Sequence, residues 1–218
     1  MKKTQIKICC ISSVEEAKLA INAGASAIGL VGNMPSGPGI ISDELIAEIA
    51  TFTPENIDTF LLTSETSVEC IIKHHSKVNT TTIQLVDALT EGTHLQLKLA
   101  LPTIKIVQVL HVLNENSMKE AIEISKYVDA ILLDSGNPNL GTKELGGTGR
   151  VHNWDISKAI VESVNIPVFL AGGLNPDNAQ KAIKIVNPYG LDLCSGVRTN
   201  GNLDSAKLNS FFKEVNNS

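Results

Sequence analysis

Eight short apolar runs recur along the whole chain, and their spacing is the tightest constraint on its fold. They are QIKIC (5–9), SAIGLV (26–31), IDTFLLT (57–63), TTIQLV (81–86), IKIVQVLHV (104–112), DAILLD (129–134), IPVFLA (166–171) and GLDLCS (190–195). Most are rich in β-branched residues and nearly continuous in hydrophobicity, as parallel strands buried on both faces should be.

Helical patterns fill the gaps. Ser13 can cap a helix over 14–23, with Glu16 three residues on as a capping box, and Val14, Ala17, Ala20 and Ile21 form its apolar stripe. Ser42 can cap DELIAEIA, Asn114 or Asn116 precedes SMKEAIEISKY, Asn175-Pro176 opens another helix, and Asp204 the last. The helices near 67–77 and 89–99 carry weaker signals. Eight strand–helix units in 218 residues predict a (β/α)8 TIM barrel, an α/β fold, spanning residues 1–218 as one domain. An open doubly wound sheet is the competitor, but no G-x-G-x-x-G follows the first strand.

Composition removes several functions. A net charge of −5 with only two arginines, Arg150 and Arg198, argues against nucleic-acid binding. No apolar run approaches the roughly 20 residues of a membrane span. MKKTQIKICC lacks the apolar region of a signal peptide, so a cytoplasmic location is expected. Cys9, Cys10, Cys70 and Cys194 show no C-x-x-C spacing, and no His/Asp/Glu grouping has metal-site spacing; no metal is expected.

Barrel chemistry sits at the C-terminal strand ends. Three glycine-bearing loops follow the last three strands: GGTGR (146–150), AGGLNP (171–176) and SGVRTNG (195–201). Glycine lets a backbone approach an anion, and phosphate sites in barrels often follow strands seven and eight, although turn chemistry alone explains such loops too. Asp134 ends the sixth strand, where desolvation would suit a general acid, or where it could simply stabilise a loop. Cys9 ends the first strand on the same face as Lys7, whose ammonium would favour a thiolate; an inert buried thiol is the competing reading for Cys9 and for Cys10, which would point the other way if the strand continues.

IKICCISSVEEAKLAINAGASAIGLV, LLDSGNPNLGTKELGGTGRVHNWDIS, VFLAGGLNPDNAQKAI and GLDLCSGVRTNGNLDSAKLNSFF together resemble the phosphoribosylanthranilate isomerase family, over nearly the whole chain. The resemblance implies a cofactor-free barrel that performs an Amadori rearrangement in tryptophan biosynthesis, turning an aminoaldose phosphate into an aminoketose phosphate. It implies Cys9 as general base and Asp134 as general acid. Asp134 would protonate the ribose ring oxygen, and Cys9 would remove the C2 proton from the resulting iminium. Gly147, Thr148, Gly149, Gly172, Gly173, Ser195 and Gly196 would hold the substrate phosphate. Such an enzyme takes a phosphorylated small molecule and is expected as a monomer or homodimer.

The departures cluster. Cys10 replaces a glycine of K-I-C-G, the loop GNMPSGPGIIS (32–42) lacks the arginine usual after the second strand, and Val86 stands where the fourth strand usually ends in histidine. Three readings follow: a divergent isomerase that binds the anthranilate carboxylate through the Gly-Pro-Gly backbone or Arg198, a paralogue acting on another phosphorylated aminosugar, or a non-catalytic phosphometabolite binder. Lys7, His111 and Arg198 are possible pocket residues. His74 and His75 read as solvated helix residues, Trp154 as a packing anchor, and Cys70 and Cys194 as core thiols.

Overall fold

A computed structural model describes residues 4–137 and 151–216. All eight apolar runs form parallel strands. They are β1 (Gln5–Ile8), β2 (Ala27–Val31), β3 (Asp58–Thr63), β4 (Thr82–Leu85), β5 (Lys105–His111), β6 (Ala130–Asp134), β7 (Val168–Leu170) and β8 (Gly190–Leu193). Each pairs with the next, and β1 pairs with β8 in the register Lys7 opposite Asp192, closing the barrel. The helices are α1 (Val14–Ala23), α2 (Asp43–Phe52), α3 (Val68–Val78), α4 (His94–Ala100), α5 (Asn116–Ile124), α6 (Trp154–Ser163), α7 (Ala179–Val186) and α8 (Ser205–Asn216).

Local chemistry accounts for most helix starts. The Ser13, Ser42 and Ser67 hydroxyls accept from the backbone N–H of Glu16, Leu45 and Cys70. The α4 start is a full capping box, in which Thr93 N–H donates to Gln96 Oε1 at 2.8 Å and Gln96 N–H to Thr93 Oγ1 at 3.2 Å. The box expected at Ser13 is only half formed, because the Glu16 carboxylate serves Ser12 N–H, Arg198 and Leu203 N–H instead. Asn175-Pro176 does not open α7 directly. Asn175 Oδ1 holds a turn by accepting from Asp177 N–H at 2.9 Å, and the helix begins at Ala179.

Two hydrophobic clusters lie on the two faces of the sheet. The larger joins Ile8, Ile28, Leu61, Ile83, Ile131 and Leu191 of the strands to Ala17, Ile49, Ile160 and Phe211 of the helices. The smaller fills the barrel, with Ala27, Phe60, Leu62, Val107, Val109, Leu132 and Phe169. This two-sided burial is why the strands lack polar alternation. His74 and His75 are buried rather than solvated: His74 bridges Thr63 Oγ1 at 3.0 Å and Asp43 at 3.1 Å, and His75 Nε2 lies 2.7 Å from the Thr80 carbonyl. Cys70 is exposed rather than a core thiol, whereas Trp154 does pack against the larger cluster. No described helix is long and apolar enough to cross a membrane.

Inside the barrel, Lys7 is fully buried and its Nζ donates to Asp192 Oδ1 at 2.8 Å. Burial alone would lower the lysine's pKa, but the Asp192 carboxylate more than reverses this and holds it above the usual value. Lys7→Met should therefore destabilise the fold by about 3–5 kcal/mol, because it strands a buried carboxylate. Urea denaturation checks this; a loss below roughly 1 kcal/mol would mean the pair behaves like a surface salt bridge.

Candidate active site

The C-terminal strand ends surround a cavity open to solvent. Cys9 reaches it from just beyond β1, Asp134 from the end of β6, and Gln84, Val86 and Asp192 from β4 and β8. Cys9 belongs to the cluster inside the barrel, not to the helix layer. The two residues expected to carry acid–base chemistry thus face one space from non-adjacent strands.

Their surroundings differ. Burial pushes the Asp134 carboxyl up to about 6, partly opposed by the Ser135 N–H, which donates to its Oδ1 at 2.7 Å. The nearby Asp192 raises it further, and Lys7 pulls it down. Cys9 has a different neighbour. A side-chain carbon placed on Gly29 would sit 2.9 Å from Cys9 Sγ and 3.1 Å from Lys7 Nζ, so sulfur and ammonium occupy the space that this glycine leaves free.

The rim between β7 and β8 is backbone-lined. Gly172 and Gly173 take consecutive left-handed conformations, φ 81° and 63°, and border the cavity with Ser195. Asn178 Nδ2 donates to the Gly173 carbonyl at 2.9 Å and fixes this turn. Gly196 lies so close to the Leu174 carbonyl that any side chain there would collide with it, so the β7 and β8 loops pack directly together. Gly147, Thr148 and Gly149 lie outside the described residues.

Residues 6–214 match the family model described as N-(5'phosphoribosyl)anthranilate (PRA) isomerase. The chain belongs to this family. A Methanosarcina mazei relative named N-(5'-phosphoribosyl)anthranilate isomerase 2 is 36% identical over 98% of this chain and 94% of its own. A Methanosarcina acetivorans isomerase is also 36% identical, over 98% of this chain and 93% of its own. The crystal structure of the Thermotoga maritima phosphoribosyl anthranilate isomerase superposes with a TM-score of 0.81 at 27% identity, covering 99% of this chain and all (100%) of that one. A phosphoribosyl anthranilate isomerase in complex with reduced 1-(o-carboxyphenylamino)-1-deoxyribulose 5-phosphate gives 0.79 at 25% identity, with 99% and 100% coverage.

Within this isomerase barrel, the three possible pocket residues fall elsewhere than expected. Lys7 lies beneath the cavity, wholly buried in its bond to Asp192. His111 lines a neighbouring cavity between the loops after β4 and β5, beyond Val86, and burial lowers its pKa. Arg198 is committed to the protein: it pairs with Glu16 at 2.9 Å and donates to the carbonyls of Cys9, Cys10 and Gly201. It borders an outer cleft rather than the cavity that Cys9 and Asp134 share, so it is not placed to bind a carboxylate there. Cys10 does not point away from the site. Its backbone is left-handed, φ 62°, and this turn brings its side chain to the same cavity as Cys9.

Sequence reading missed Asp192 and Gln84, both buried and both at the cavity. A signal for Asp192 was present: an acid inside the apolar run GLDLC, on a strand that closes against one with a lysine inside IKIC.

Asp134 imposes a pH dependence on stability. Its folded pKa of about 6 exceeds its ordinary 3.8, so between these values the unfolded chain loses a proton that the folded chain keeps, and stability falls as pH rises. Above pH 6 the loss is complete, at about 2–3 kcal/mol. Asp134→Asn should therefore be more stable than the wild type at pH 7 by about that much, and the gap should close near pH 4. Denaturation curves at the two pH values check this; an equal gap at both would exclude it.

Proposed function

We infer that this chain catalyses the isomerisation of N-(5'-phosphoribosyl)anthranilate, the Amadori step of tryptophan biosynthesis, and that Cys9 and Asp134 perform its proton transfers. The observation that carries the residue assignment is their meeting at one cavity, a desolvated carboxyl on one strand and a thiol beside a buried ammonium on another. A carboxyl with a pKa of about 6 remains roughly a tenth protonated at pH 7. It can donate to the ribose ring oxygen as the C1–O bond breaks, leaving an iminium. Cys9 then takes the C2 proton, and the enolamine tautomerises to the aminoketose.

The phosphate is assigned to the rim of Gly172, Gly173, Ser195 and Gly196; Gly147, Thr148 and Gly149, the other residues expected to hold it, lie outside the described residues. Backbone N–H groups would hold the anion there, without a side chain between them and it. Among the described residues lining the cavity none is basic, so the anthranilate carboxylate is assigned to the backbone of the Gly-Pro-Gly loop, of which Ser36, Gly37 and Pro38 border the cavity. We place the enzyme in the cytoplasm, as a monomer or homodimer; light scattering of the purified protein decides between the two.

The deciding assay follows the fluorescence of freshly prepared phosphoribosylanthranilate. Wild type should turn over. Cys9→Ser and Asp134→Asn, each with unchanged circular dichroism, should lose about 10²–10⁴-fold in kcat/KM. Well-folded wild-type protein without turnover would favour an aminosugar phosphate carrying a different amine, in keeping with the loop that lacks a cation. Because the acid works protonated, wild-type kcat/KM should decline as pH rises above about 6, and the residual activity of Asp134→Asn should lack that decline.

A further inference from the structure

Two sulfurs in the cavity wall have no part in the proton transfers. Cys10 Sγ lies 2.8 Å from Cys194 Sγ, joining the end of β1 to the turn after β8 across 184 residues of sequence. Both are free thiols. Cys10 is buried, and Cys194 is partly exposed. Both also border the outer cleft formed with Ser12, Pro38, Gly39 and Arg198, so a small molecule can reach them without entering past Asp134.

We propose that Cys10 and Cys194 are a redox-reactive dithiol that a hydroperoxide converts to a reversible disulfide, leaving Cys9 reduced. A disulfide needs its sulfurs about 2.05 Å apart, so they must approach by only about 0.8 Å. The adjacent pair Cys9–Cys10 is a poor alternative. Consecutive Cα atoms lie about 3.8 Å apart across a trans peptide, below the range of about 4.4–6.8 Å that disulfides span.

The environment divides the labour. The hydrogen bond with Cys10 holds the Cys194 thiol below the usual thiol range against the effect of burial, and the charge of Arg198 adds to this. The same contact pushes Cys10 up. Cys194 is therefore the attacking sulfur. Its thiolate attacks one oxygen of hydrogen peroxide; an S–O bond forms, the O–O bond breaks, and the departing hydroxide takes up the proton that Cys194 released. Cys10 sulfur then attacks the sulfenic sulfur. An S–S bond forms, the S–O bond breaks, and the Cys10 proton leaves with the hydroxide as water. Two thiols and one peroxide become one disulfide and two waters, the peroxide accepting both electrons.

The test is peptide mapping of the full-length protein. Reduced protein is titrated with hydrogen peroxide, alkylated with iodoacetamide, and digested without reductant. Mass spectrometry should find the Cys10 and Cys194 peptides linked with the loss of two hydrogens, Cys9 alkylated, and the link removed by dithiothreitol. Cys70→Ser should keep the link, and Cys194→Ser should lose it while Cys9 and Cys10 stay unlinked. A Cys9–Cys10 or Cys9–Cys194 link, oxidation confined to Cys9, or full alkylation of Cys10 and Cys194 under excess peroxide would each overturn the proposal. These readouts require no turnover, so they stand apart from the isomerase assignment.

Discussion

A lysine sealed inside the barrel organises this structure. Lys7 is wholly buried and its Nζ bonds Asp192 on the strand that closes the sheet. Removing both ions from water costs several kcal/mol each, and only close geometry offsets that. The pair therefore specifies register more than it adds stability: a one-residue slip of β1 against β8 would turn Lys7 out into the helix layer and leave Asp192 unpaired inside the barrel. Correct closure at this seam sets Cys9 at the mouth, two residues beyond Lys7 and facing the same way.

The same pair shapes the electrostatics above it. Asp134 feels Asp192 as a like charge and Lys7 as an opposite one, and the two influences oppose each other. What remains is burial, which keeps the carboxyl partly protonated at neutral pH. A lone lysine under the cavity would hold Asp134 ionised, and a lone aspartate would raise it further. The neutral pair supplies a charged floor without fixing the protonation of the group that must donate.

The barrel was legible because its signal is repeated eight times, and each run bears the two-sided hydrophobicity of a buried parallel strand. Position at strand ends singled out Cys9, Asp134 and the glycine loops as candidates, while the acid and base roles came only from the family resemblance. What failed had a common cause: those features depend on contacts distant in sequence. His74 and His75 look like solvated helix residues until Thr63, Asp43 and Thr80 close around them. Arg198 looks available until Glu16, 182 residues earlier, takes its guanidinium. His111 stands opposite Asp134 on the adjacent strand, yet it lines a separate cavity with His94 and Leu95 of α4 and Glu120 of α5 rather than the one that Cys9 and Asp134 share.

Cys10 shows how such contacts make a local rule yield. A left-handed residue with a side chain costs about 1–2 kcal/mol relative to glycine, and nothing in KICC announces one. Three partners hold it there. Arg198 donates to the carbonyls of Cys9 and Cys10, fixing the peptide on each side of the turn. Glu16 steadies Arg198, which is why it has abandoned its expected capping box. Gly39, itself left-handed at φ 79°, leaves the space that Cys10 needs; a carbon on Gly39 would lie 2.5 Å from Cys10 Cβ. The Gly-Pro-Gly loop, which carries no cation, is thus also the loop that accommodates Cys10. Gly39 lets a side chain stand where the family has glycine, and this places a second thiol beside the one assigned as base.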